Sequence, residues 1–198
     1  MDDKVTVLIT GAAGNLGRLL ARRLVSTGRH LRLMFHRRPI PEEVRLAPNG
    51  TPVQANLSDP DALGAAVRGA DVVVHFAGVL FAPEPEKVLA HTNLRWFANL
   101  LAASLEASVR RVILMSFPHV EGPTSADAPA TGRLDCRPVS VHAQTRSEEE
   151  RLLFSRTHGT ATTTLRAALT SPFVDSGSLS GSLSPRRLRR HGLHPGRP

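Results

Sequence analysis

An α/β fold, with a parallel sheet covered by helices on both faces, is predicted by three features of this 198-residue sequence. Short apolar, β-branched runs recur along the chain: "KVTVLIT", "DVVVHFAG" and "RRVILMS". Segments with helical spacing of leucine and alanine separate them. The first run ends in a glycine-rich turn, "TGAAGNLGR", that opens one of these helical segments. Strand and helix in alternation imply right-handed βαβ crossovers and so parallel strands. A strand buried on both faces reads as a continuous apolar run, as these do.

The elements follow in order. Residues 4–10 read as the first strand, and 15–27, with Leu16, Leu19, Leu20 and Leu24 at helical spacing, as the first helix. Gly28 is a plausible helix stop, and "HLRLMF" (30–35) the second strand. Residues 39–50, with three prolines and an Asn-Gly pair, read as loop. "TPVQAN" is a short third strand. "SDPDALGAAVRG" reads as a helix capped by Ser58 or Asp59, with Pro60 in its first turn. Residues 71–78 form the fourth strand, 86–107 a long amphipathic helix and 110–116 the fifth strand. Residues 117–138 carry four prolines and read as a long loop over the carboxyl edge of the sheet, where ligands sit in such folds. A helix ending at Gly159 and a sixth strand, "TATTTLR", complete the alternation. The first domain is expected to span residues 1–173. Residues 174–198, rich in Ser, Gly and then Arg, read as a disordered tail, either a basic segment for anions or a truncated or out-of-frame end.

Bulk composition excludes several classes. No apolar run reaches the roughly 18 residues of a membrane span. The start, "MDDKVTVLIT", lacks the basic region and cleavage site of a signal peptide, so a cytoplasmic protein is expected, with no membrane partner. The single Cys136 has no partner for a disulfide, and no histidines stand at metal-ligand spacing, so no metal is expected. The net charge of +8 invites a nucleic-acid reading. Residues 175–198, however, hold five Arg and one Asp, half of that surplus, and the chain has no Tyr and few Phe for base stacking. Nucleic acid is therefore not expected as a partner.

The glycine turn carries the chemistry. Gly11 permits a sharp turn, Gly14 lets backbone approach a pyrophosphate, and Gly17 lets the helix pack closely on the sheet. Backbone N–H groups at the helix start, at Asn15 and Leu16, and the helix dipole suit phosphate. The turn used for packing alone is the alternative, and the strand before it and the helix after it favour dinucleotide binding in a Rossmann-type fold. The second strand ends in His36, Arg37 and Arg38 where NAD-binding chains carry an acid for the ribose hydroxyl. Arginine pairs with a 2′-phosphate, so NADP is preferred to NAD, unless these arginines are simply a solvated surface.

Taken together these segments resemble the short-chain dehydrogenase/reductase superfamily, in its extended branch of NAD-dependent epimerases and dehydratases, over roughly residues 4–173. The resemblance rests on "TGAAGNLG", "ANLSD", "ADVVVHFAG", "TNLRWFANLL", "RRVILMS" with "VEG", and "LRAALTSP". It implies that Asn56 and Leu57 face adenine, that Phe76, Ala77 and Gly78 run beside the cofactor, and that Asn93 supports the ribose. It also implies an epimerase or oxidoreductase acting on a carbonyl or hydroxyl substrate, such as a sugar nucleotide, and a homodimer through the two long helices. The family's Ser/Thr, Tyr and Lys are replaced here by Phe117, His142 and Arg146, and the family's C-terminal substrate region is truncated.

His142 and Arg146 lie one helical turn apart and share a face. An imidazole titrates in the range of acid–base work, and Arg146 would anchor ribose and keep His142 neutral. Ser116, Ser140 and His119 are close enough in sequence to orient a substrate. Two readings stay open: an enzyme with His142 as proton donor, helped by Arg146 and Ser116, or a dinucleotide-binding redox sensor or remnant without turnover.

Overall fold

The computed structural model describes residues 4–79, 82–125, 127–156 and 159–167. Its strands are β1 (Thr6–Thr10), β2 (His30–Phe35), β3 (Gly50–Gln54), β4 (Val72–His75), β5 (Arg111–Ser116) and β6 (Ala161–Arg166). All neighbours pair in parallel, in the order β3-β2-β1-β4-β5-β6. The helices are α1 (Asn15–Leu24), α2 (Glu42–Arg45), α3 (Pro60–Val67), α4 (Pro85–Leu89), α5 (Trp96–Glu106) and α6 (Val141–Arg156). This is the Rossmann-type α/β architecture that the alternation predicts. The chain winds outward from β1 through β2 to β3, then returns to lay β4 on the other side of β1. That reversal opens a crevice at the carboxyl ends of β1 and β4. The expected tail from residue 174 lies outside the described residues.

Period-two alternation within β1 divides the core. Leu8 faces a cluster with Leu63 of α3, Leu100 of α5 and Leu153 of α6. Val7 and Ile9 face the opposite cluster, with Ala21 of α1 and Val44 of α2. All five of the residues Leu8, Ile9, Leu63, Leu100 and Leu153 are fully excluded from solvent. At roughly 1.5–3 kcal/mol for each buried leucine or isoleucine, these two clusters dominate the stability of the sheet.

Local chemistry sets the boundaries. α1 ends at Leu24, and a 3₁₀ turn (Val25–Thr27) carries the chain to Gly28, whose φ of +71° is the left-handed stop a helix end favours. Asp59, rather than Ser58, caps α3, its carboxylate accepting from the N–H groups of Asp61 and Ala62 at 3.1 Å each. Pro52 lies inside β3, which is tolerated because β3 is an edge of the sheet. Two features differ from expectation. The segment read as loop before β3 contains α2, where Glu42 and Glu43 sit in the first turn and complement the helix dipole. The long helix over residues 86–107 is interrupted by a π-helical turn, Ala90–Arg95, which no sequence pattern announced.

Candidate functional site

The glycine turn sits at the mouth of the crevice and is shaped by backbone. Gly11 has φ +67°, and a Cβ there would lie 2.9 Å from the Ala77 nitrogen at the end of β4. At Gly17 a Cβ would meet the Gly11 carbonyl oxygen at 2.3 Å, so α1 approaches the turn more closely than any side chain permits. Gly14 donates its N–H to the Gly11 carbonyl at 2.9 Å and stands at the exposed N-cap of α1 with no side-chain cap. Asn15 and Leu16, also exposed, begin the helix. Their N–H groups belong to the first turn, which has no intrahelical acceptor. An open cradle of donors at a positive helix end fits a pyrophosphate.

Thr10 ties this turn to β4. Its hydroxyl bonds His75 Nδ1 at 2.8 Å and accepts the Ala77 N–H at 3.3 Å. His75 is buried against Phe97, and burial, helped by the Arg146 charge, lowers its pKa to about 3. It is therefore a neutral core imidazole that holds the ends of β1 and β4 together. Beyond β4, Phe76 and Ala77 are half-buried and Gly78 is exposed.

The second wall comes from α6. Ser140 caps this helix, its Oγ accepting the Ala143 N–H at 3.2 Å, so it is a cap rather than a substrate-orienting group. His142, in the first turn, meets the edge of the Phe117 ring with 4.7 Å between centroids, and its Nε2 is buried without a partner. The imidazole pKa is lowered, first by burial and second by the Arg146 charge. Burial thus outweighs the Arg146 charge that the four-residue spacing predicts. One turn on, Arg146 is 7% exposed. A Cβ on Gly78 would lie 2.7 Å from Arg146 Nη2 and 3.3 Å from Asn93 Oδ1, so a side chain there would displace the guanidinium from its present position. Arg146 Nη1 donates to Glu149 Oε2 at 2.7 Å, and Glu149 is wholly buried.

The side chains of the other predicted residues are placed as follows. Asn93 spends its amide on backbone: Oδ1 accepts from the Val79 N–H at 2.8 Å and Nδ2 donates to the Val79 carbonyl at 3.0 Å. It braces the loop after β4 from within the π-helical turn. Asn56 Oδ1, expected to accept from adenine, accepts the Ser58 N–H at 3.0 Å, which leaves its second lone pair available. Leu57 packs into the core and is 7% exposed. Ser116, at the end of β5, is buried with an unpartnered Oγ, while His119 is exposed and meets Phe117 edge-on. His36, Arg37 and Arg38 are exposed beyond β2.

Two features escaped sequence reasoning. Glu149 is one; its signal was only the three-residue spacing from Arg146. The other is a polar clamp on residues 122–138. Arg166 of β6 donates to Glu121 Oε1 and, at 2.6 Å, to Glu150 Oε2. Its Nη2 also reaches the Arg133 carbonyl at 2.9 Å. Glu121 accepts the N–H groups of Thr131 and Gly132 at 3.0 and 2.7 Å, and these, with Arg166 and Arg133 beside them, hold its carboxyl below the usual range. Arg151 donates to the carbonyls of Leu134 and Cys136 at 3.0 Å each. A segment read as loop is thus fastened across the outer side of α6. No helix of the described residues is long and apolar enough to cross a membrane.

Fold, switch-point crevice and glycine cradle together define a dinucleotide-binding protein. Comparison with known sequences agrees, since residues 11–168 match the model of the NAD(P)H-binding family. The chain belongs to that family, and its relatives are of the epimerase/dehydratase type of the short-chain dehydrogenase/reductase superfamily. It is 27% identical over 168 residues to uronate dehydrogenase of Pseudomonas putida, covering 84% of this chain and 61% of the relative. Human 3 beta-hydroxysteroid dehydrogenase type 7 is 29% identical over 133 residues, 64% of this chain and 36% of the relative. Among solved structures, uronate dehydrogenase from Agrobacterium tumefaciens superposes with a TM-score of 0.69 at 28% identity, over 81% of this chain and 59% of that one. A mutant of the same enzyme was solved complexed with NAD. The chain thus spans from about a third to about three-fifths of the length of these curated relatives.

Proposed function

We propose that this chain binds NADP(H) in preference to NAD(H) and serves an oxidoreductase or epimerase reaction on a carbonyl or hydroxyl group of a small molecule, in the cytoplasm. The observation that carries this reading is the exposed pair of first-turn donors at Asn15 and Leu16, after a glycine turn packed on the end of β4. Arg37 and Arg38, exposed at the end of β2, would pair with a 2′-phosphate. Arg146 would donate to ribose oxygens. When bound, the nicotinamide ring supplies the hydride acceptor or donor. His142 would handle the proton at its unpartnered Nε2. The lowered pKa keeps that imidazole neutral near pH 7, which suits taking a proton from a hydroxyl as it is oxidised. Donation in the reverse direction needs the imidazolium. This reading also keeps the homodimer that the family resemblance implies.

A second reading, a dinucleotide sensor without turnover, is favoured by the replacement of the family's Ser/Thr, Tyr and Lys with Phe117, His142 and Arg146. Titration with NADPH and NADH, followed by nicotinamide fluorescence, separates these possibilities. Saturable NADPH binding is expected, abolished by Gly14→Asp, which puts a carboxylate at the phosphate cradle. Arg37→Ala with Arg38→Ala should weaken NADPH roughly tenfold or more and leave NADH nearly unchanged. If Arg37 and Arg38 bear equally on both cofactors, the NADP preference is wrong. Turnover that His142→Phe removes would support the enzyme over the sensor.

A further inference from the structure

The mechanism above leaves one buried ionisable group without a task. Glu149 is fully excluded from solvent, and a carboxylate in that position is costly unless it serves a charge. It serves Arg146: Oε2 accepts from Nη1 at 2.7 Å, while Oε1 has no partner at all. His142, Arg146 and Glu149 fall at spacings of four and three residues, which places them along one face of α6. The guanidinium is thus held by Glu149 through Nη1, while Nη2 lies beside Gly78, where a Cβ would stand 2.7 Å from it. We propose that Glu149 is the positioning residue of Arg146: it fixes the guanidinium against Gly78 and cancels its charge, so that Arg146 meets a bound dinucleotide as a hydrogen-bond donor rather than as an unbalanced cation. This rests on reading the crevice as the dinucleotide site.

The pairing makes dinucleotide affinity depend on the charge of Glu149. Burial, strengthened by the neighbouring Glu150 charge and opposed by Arg146, raises the Glu149 pKa to about 7. The charges that act on it are those of Arg146 and Glu150 on α6, and Glu150 is itself paired with Arg166 of β6. His142 and His75 feel Arg146, and the pKa of each imidazole is lowered, first by burial. The charged side chains of α4, Glu86 and Lys87, are exposed. As pH falls through 7, Glu149 takes up a proton and the Arg146 charge is unmasked toward the anionic ligand.

NADH is the probe, because it lacks a 2′-phosphate that would itself titrate. Its dissociation constant is measured at pH 8.5 and 6 for the wild type, Glu149→Gln, Arg146→Gln and the double variant. At pH 8.5, Glu149→Gln should tighten NADH about three- to tenfold, and at pH 6 the two proteins should converge. In the Arg146→Gln background the same change should leave affinity within about twofold. An effect of Glu149→Gln that persists undiminished without Arg146, or identical pH profiles for wild type and Glu149→Gln, would overturn the proposal. Should the wild type bind neither NADH nor NADPH, the dinucleotide reading fails and the affinity part of the proposal falls with it. The pairing is then read from side-chain ¹⁵N spectra of Arg146. Slowed guanidinium rotation at pH 8.5, lost in Glu149→Gln, upholds it, and free rotation in the wild type overturns it.

Discussion

The two walls of the crevice are built from different materials. The β1–α1 wall is backbone: glycines in close contact, N–H groups at a helix end, and no charged side chain in the turn itself. The α6 wall is side chain: a buried ion pair, a half-buried imidazole and unpartnered polar atoms on His142 and Glu149, with that of Ser116 at the end of β5. A backbone wall tolerates no change of shape and is indifferent to pH. A wall of buried charge tolerates small changes of shape and answers to pH. Each of the following variants tests one side of that contrast.

The largest effect is expected at Gly17. A Cβ there would stand 2.3 Å from the Gly11 oxygen and 2.9 Å from the Ala12 Cα, both backbone atoms that cannot swing aside. Gly17→Val should therefore cost about 3 kcal/mol or more and abolish dinucleotide binding, read by denaturant unfolding and by NADPH titration. A variant that folds with wild-type stability and still binds would show that the turn is not fixed by close approach, and the two walls would no longer differ in kind.

Next comes the pH response that His75 and Glu149 impose in opposite directions. His75 is depressed to about 3, so its share of stability is fully present above about 6.5 and is lost as pH falls toward 3. His75→Gln, which keeps a group able to bond Thr10, should flatten the acid limb of the stability profile by up to about 1.4 kcal/mol per pH unit between pH 4 and 6. Glu149 is raised to about 7, so its contribution is present below about 4.5 and lost as pH rises through 7. Glu149→Gln should remove that loss and steepen nothing on the acid side. Urea unfolding at half-unit steps of pH resolves both limbs. A Glu149→Gln profile that runs parallel to the wild type would mean that the α6 wall holds no buried charge of consequence, and a parallel His75→Gln profile that burial of the β4 imidazole costs nothing on charging.

The same contrast explains what the sequence made legible. The glycine turn, the strand that precedes it and the helix that follows obey local rules, since spacing and backbone freedom decide them, and these residues stand where the motif puts them. The roles of Asn56, Leu57 and Asn93 could not be read the same way. Each sits near the crevice, but its hydrogen bonds or packing go to the protein itself: to Ser58, to the core and to Val79. A motif gives the neighbourhood of a side chain; the competition between ligand and backbone for its polar atoms is settled by tertiary structure. The Glu149–Arg146 pair lay within one helical turn and was still missed, because an acid three residues from a base usually marks a solvated helix face. Only its burial distinguishes it. The polar clamp joins Glu121, Glu150 and Arg166, residues up to 45 positions apart, and such long-range pairing leaves no periodic trace.

The smallest effect is expected at the outer end of the backbone wall, where the chain turns from β3 into α3. Asp59 caps that helix through two N–H groups, and its own N–H returns to the Asn56 carbonyl at 3.0 Å. Removing the cap costs about 1 kcal/mol by the usual range for such residues. In a domain of this size that lowers Tm by roughly 2–4 °C. The turn at Asn56–Ser58 keeps its other fastenings, the Ser58 N–H on Asn56 Oδ1 and the Leu57 carbonyl on Asn99 Nδ2 at 3.0 Å each. Asp59→Ala should therefore lower Tm by that amount and change NADPH affinity by less than about threefold. A tenfold loss of affinity at unchanged fold would mean that this end of the crevice also depends on a side chain, and that the division between a backbone wall and a charged wall holds only at the phosphate.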